Sequence, residues 1–88
     1  MFLKKKIKIK NAMGLHARPA SIFVQIANKF ESDVAVRKGH EKVNGKSIMG
    51  LMMLAASQGH TIEIEVSGPD AETAMQELEQ FLTHDENS

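Results

Sequence analysis

Four short stretches of this chain alternate apolar and polar residues, and that alternation limits the fold more than any other feature. Ile62, Ile64 and Val66 alternate with Thr61, Glu63, Glu65 and Ser67, which puts all three apolar side chains on one face of a strand. From Lys4 to Lys10, Ile7 and Ile9 lie among lysines, a half-buried strand with a solvated lysine face. Val34 and Val36 alternate with Asp33, Ala35 and Arg37, and after Lys38-Gly39 the segment Glu41-Lys42-Val43 gives a short further strand. A sheet made of such strands is apolar on one side only, so one layer of cover is enough.

The cover is written in the other periodicity. Ala20, Phe23, Val24, Ala27 and Phe30 recur at helical spacing and form a single stripe. That helix follows a break at Asn11-Ala12-Met13-Gly14 and begins near His16 to Pro19, where proline is tolerated because a first-turn N–H has no partner anyway. After the turn signal Asn44-Gly45, Ser47 can cap a short helix running to about Leu54, and Gly59 closes that region. Gly68-Pro69-Asp70 opens a last helix with the stripe Ala71, Ala74, Met75, Leu78, Phe81 and Leu82. The order β-α-β-β-α-β-α predicts an α+β, two-layer, open-faced sandwich: a four-stranded antiparallel sheet with three helices on one face. With 88 residues the expectation is one domain over 1–88, its residues 83–88 a fraying polar tail. A chain this short has no room for a separate catalytic lobe.

Charge and composition exclude several classes. Lys plus Arg and Asp plus Glu both number 11, so the net charge is zero and a broad basic surface for nucleic acid is not expected. There is no cysteine, hence no disulfide or thiolate metal site. The N-terminal lysines lack a following apolar stretch of the secretory kind, and no apolar run approaches a membrane span. A cytoplasmic location without membrane insertion is the expectation. His40, His60 and His84 have no ligand-like spacing and are expected to be solvated, so no metal or other cofactor is anticipated. Paired catalytic carboxylates, a P-loop and a G-x-S-x-G elbow are all absent.

Two constellations remain. In Gly14-Leu15-His16-Ala17-Arg18-Pro19-Ala20 a histidine stands where a loop enters a helix. Neutral imidazole is a competent nucleophile toward phosphorus. Unpaired amides at a helix start and the macrodipole favour the negative charge it would then carry. Arg18 can add charge-assisted hydrogen bonds from its planar fork. The plain alternative, with His16 a helix cap and Arg18 a solvated charge, accounts for the local pattern equally well. In the second constellation, Gly45 to Met53, the residues Leu51, Leu54 and Ala55 can face the sheet while Ile48, Met49 and Met52 lie on another arc. So short a helix cannot bury them all, and flexible methionine suits a surface that meets several partners. Met53 reads more readily as core filler.

The string GLHARPAS at 14–21 resembles the active-site signature of the HPr phosphocarriers of the bacterial sugar phosphotransferase system, and KSIMGLM at 46–52 resembles their regulatory-serine segment, particularly that of Gram-positive bacteria. The resemblance runs from the first strand to Leu82. It implies that His16 accepts a phosphoryl group from enzyme I, itself charged from phosphoenolpyruvate, and passes it to EIIA components, with Arg18 steadying the phosphate. It further implies regulatory phosphorylation of Ser47 by an HPr kinase/phosphorylase, with a catabolite-control transcription factor as a further partner. The expected partner-contacting set is Ala17, Ala20, Ile48, Met49 and Met52. Ala12, Met13, Gln25 and Asn28 depart from the usual family pattern and bear on which partners recognise the chain. In a related branch, Crh, glutamine replaces the histidine and carriage is lost; His16 puts this chain on the carrier side. The competing reading is a regulatory module of the nitrogen-related branch or of catabolite repression that does not serve sugar uptake. An autonomous small enzyme fits worst, since one histidine and one arginine make no substrate pocket.

Overall fold

A computed structural model describes residues 1–10 and 14–84. The elements are β1 (Phe2–Lys8), α1 (Ala17–Ala27), β2 (Asp33–Lys38), β3 (Glu41–Asn44), α2 (Ile48–Met53), β4 (Thr61–Ser67) and α3 (Ala71–Thr83). The strands form one antiparallel sheet in the order β1-β4-β2-β3. This is the order of elements and the two-layer architecture that the periodicities predict.

Register follows from matching apolar faces, because a one-residue slip would turn each set outward. Ile7 pairs with Ile62, Val36 with Ile64, and Val34 with Val66. All six are buried, and they meet the helical stripes of Ala20, Phe23, Val24 and Ala27 from α1 and of Ala71, Ala74, Met75, Leu78 and Leu82 from α3. Fully burying side chains of this size stabilises by about 1.5–3 kcal/mol each relative to leaving them exposed. α2 is too short to persist alone. Leu51 and Leu54 anchor it to the core, and Ser47 Oγ accepts the Gly50 N–H at 3.0 Å as its N-cap.

Several sequence expectations are corrected. β1 begins at Phe2 rather than Lys4, since Leu3 finds Val66 opposite it. Ile9 is buried just past the strand end, held by His60 O and Gly59 N–H. Lys5 shares the parity of Ile7, so it does not belong to the open lysine face; it reaches out from the sheet margin to Glu79 of α3 at 2.7 Å. Ala55 does not face the sheet. It is exposed and adopts φ +51 immediately after α2. Met53 is 71% exposed and fills no core. Thr83, expected in the tail, is the last residue of α3 and bonds back to Glu79 O. Residues 85–88 lie outside the described residues, as do Ala12 and Met13.

Candidate functional site

His16 is the N-cap of α1, with φ −81 and ψ −172, and its carbonyl accepts the first helical bond from Ala20 N–H at 2.8 Å. Its imidazole is exposed, makes no capping bond to the helix and has no hydrogen-bond partner among the described residues. Its backbone is extended, as at an ordinary N-cap, and its carbonyl enters the helical ladder.

The first turn of α1 is an anion-compatible mouth. Pro19 has no N–H to offer and is buried. That leaves the backbone N–H groups of Ala17 and Arg18, which have no acceptor among the described residues. No acidic residue stands in this turn. Arg18 is exposed beside the mouth and forms no ion pair among the described residues. Ala17 is exposed as well. Ala20 is not: it is fully buried in the α1 stripe, so its expected role as a partner contact fails because the side chain packs against the core.

Gly14 and Leu15, just before His16, are held from the far side of α2. Leu15 is buried and donates its N–H to Ala56 O at 2.8 Å. Gly14 adopts φ +61, and a Cβ there would lie 2.7 Å from Ala56 O and 2.8 Å from Ser57 Cα. Only glycine meets both requirements without displacement. Ala56 is in turn positioned by the left-handed Ala55. Lys38 Nζ spans from the end of β2 to the carbonyls of Leu54 and Ala55, at 3.2 and 3.3 Å. These carbonyls end α2, so a cation suits them.

Lys38 was not legible in the sequence, because nothing in a strand end signals contact with a helix 16 residues later. Lys46 was missed for the same reason; its Nζ donates to Phe30 O at 2.8 Å and ties the segment before Ser47 to the end of the α1 connection. His40 and His84 are exposed. His60 is exposed too, but its Nδ1 accepts the Ser57 N–H at 3.0 Å and closes the turn into β4.

On α2 the exposed arc comprises Ile48, Met49, Met52 and Met53. Helical geometry accounts for it. At about 100° per residue, taking the bisector of Leu51 and Leu54 as inward, Ile48 stands about 90° away, Met52 and Met53 about 130°, and Met49 about 170°. α1 and α2 pack against each other, and the Leu15–Ala56 bond joins the entry of one to the exit of the other. Among the described residues no three His, Asp or Glu side chains gather where a metal could be held.

Comparison with known proteins agrees with the fold. Residues 3–84 match the family model described as the phosphotransferase system (PTS) HPr component phosphorylation site. The phosphocarrier protein HPr of Neisseria meningitidis serogroup A is 51% identical over 80 residues, covering 91% of this chain and 90% of that one. The HPr-like protein Crh of Halalkalibacterium halodurans is 46% identical, covering 91% and 95%. The crystal structure of a phosphocarrier protein HPr from Bacillus anthracis superposes with a TM-score of 0.89 at 42% identity, covering 92% of this chain and 96% of that one. The four-stranded antiparallel sheet covered on one side by three helices is the fold of the HPr phosphocarriers. The chain belongs to the HPr family of phosphocarrier proteins of the phosphotransferase system.

Proposed function

We propose that this chain is a cytoplasmic phosphoryl carrier that takes its group on His16 from enzyme I and delivers it to EIIA components. The observation that carries the reading is the exposed imidazole at the N-cap of α1, beside two backbone N–H groups without acceptors among the described residues. In the first transfer the imidazole lone pair forms a nitrogen–phosphorus bond while the bond from phosphorus to enzyme I breaks. In the second the acceptor on EIIA attacks phosphorus and the imidazole leaves with its electron pair restored. Ala17 N–H, Arg18 N–H and the Arg18 guanidinium hold the phosphoryl oxygens between the two steps. The partner protein supplies the rest of each site across the interface.

Ser47 is a second modification point. It caps α2 beside Ile48, Met49 and Met52, so its phosphorylation adds roughly −1.5 to −2 charges at an apolar docking surface while leaving a competent cap in place. An HPr kinase/phosphorylase is the modifying partner this reading requires. The alternative of a purely regulatory role rests on relatives named Crh, a catabolite-repression protein, but a chain with His16 retains the nucleophile that carriage needs.

Labelling with phosphoenolpyruvate and enzyme I is the test. The parent chain should acquire one acid-labile phosphate and His16→Ala none. Equal labelling of both chains would overturn the assignment.

A further inference from the structure

Three of the four residues on the exposed arc of α2 carry sulfur, whose chemistry has no role in phosphoryl transfer. Met49 and Met53 are 71% exposed and Met52 is 43% exposed, three thioethers within five residues of one short helix. Met75, by contrast, is 6% exposed and packed into the core. Thioether oxidation needs direct approach of the oxidant to sulfur, so exposure sorts these residues into a reactive set and a protected one. We propose that Met49, Met52 and Met53 form a peroxide-sensitive modification site, whose conversion to sulfoxides closes the α2 surface to partners.

In each event the sulfur lone pair attacks one peroxide oxygen. The oxygen–oxygen bond breaks, a sulfur–oxygen bond forms, and the other oxygen leaves as water. Sulfur is oxidised by two electrons and hydrogen peroxide is reduced by two. A methionine sulfoxide reductase with a dithiol reverses the change, returning the oxygen as water. The sulfoxide replaces a flexible apolar side chain with a polar one, which an apolar contact surface cannot desolvate cheaply. α2 itself is spared, because its hold on the core runs through Leu51 and Leu54, both buried on the opposite side.

The proposal rests on the reading of α2 as a docking surface, and the experiment separates the two. The chain is treated with hydrogen peroxide, freed of it, and then charged with phosphoenolpyruvate and enzyme I below saturation. Residue-resolved mass spectrometry should show oxygen on Met49, Met52 and Met53 well before Met75. Charging should slow by about tenfold, equivalent to about 1.4 kcal/mol of docking, and recover after reductase and dithiol. The triple variant M49L/M52L/M53L should charge at the rate of its own untreated form after peroxide, although Met1, 68% exposed, still takes up oxygen. Unchanged charging of the triply oxidised parent overturns the proposal. So does Met75 oxidising as fast as the three, or loss of the circular dichroism of the fold under the same treatment. The variant M49Q/M52Q/M53Q locates the fault: slow charging there leaves the docking reading intact, whereas parental charging removes docking and proposal together.

Discussion

Gly14 and Ala55 show how single backbone conformations set the stage for His16. Both are left-handed, at φ +61 and φ +51, and both lie on the short path that joins the loop before His16 to the end of α2. Gly14→Ala places a methyl group against backbone on two sides, neither of which can yield as a flexible side chain would. The expected loss is about 2–4 kcal/mol of unfolding free energy, read from urea midpoints, together with slower charging of His16 than the stability loss alone explains. A midpoint within experimental scatter of the parent would mean that the loop is not pinned there. Ala55 is the opposite case, a residue with a Cβ where glycine would be at ease. A non-glycine residue in that conformation costs about 1–2 kcal/mol, and glycine recovers part of it at the expense of unfolded-state entropy. Ala55→Gly should therefore raise stability by about 0.5–1 kcal/mol, with charging unaltered. Lys38→Met, which removes the donor to the Leu54 and Ala55 carbonyls, should lower stability by about 1 kcal/mol.

At the scale of elements, α2 separates what a serine does as a cap from what it does as a modified residue. Ser47→Ala removes the bond to Gly50 N–H and should cost about 1 kcal/mol while leaving His16 labelling in place. Ser47→Asp keeps a side chain that caps well, so its stability should stay within about 0.5 kcal/mol of the parent. If the added charge acts at the docking surface, Ser47→Asp should still slow charging by enzyme I. Equal rates for Ser47→Asp and the parent would remove Ser47 from the control of docking. The elements themselves were largely legible from periodicity. β2, β4, α1 and α3 each carry one unbroken apolar face, and nothing else in the chain could cover them. Lys5 escaped because an outward-looking residue type occupied an inward-facing parity at an edge strand, where a long stem can still reach water. The sequence suits Ala20 both to the α1 stripe and to a partner contact, and burial allows only the first. Met53 reads as core from composition, whereas its angle from Leu51 and Leu54 points it outward. The residues that fix the His16 loop, Ala55, Ala56 and Lys38, belong to contacts between distant segments, and no local pattern announces those.

For the whole molecule, two carboxylates link elements that are far apart in sequence, and they make stability depend on pH. Asp70, at the start of α3, accepts from the Ser32 hydroxyl at 2.5 Å and from the N–H groups of Glu31 and Ser32 at 2.9 and 3.0 Å, joining α3 to the entry of β2. The Ser32 hydroxyl, then the Glu31 amide, hold its carboxyl below the usual value of 3.8. Glu65, in β4, lies between Lys42 at 2.9 Å and Arg37 at 3.8 Å, and the hydrogen bond from Lys42 leads in holding it below its usual 4.5. A carboxyl whose folded value is depressed binds its proton more weakly in the native state than in the unfolded chain. Its contribution is therefore complete above the ordinary carboxylate value and is lost as pH falls through the lower, native one. Acidification should thus weaken the parent chain progressively below the 3.8–4.5 window, with a single cooperative transition because both links serve one sheet-and-helix core. The double variant Asp70→Asn/Glu65→Gln should be less stable than the parent at neutral pH and should converge with it in acid, since protonation has by then cost the parent the same two links. Urea titrations at a series of pH values measure this directly, and parallel curves for the two chains across that range would show that the acid response arises elsewhere.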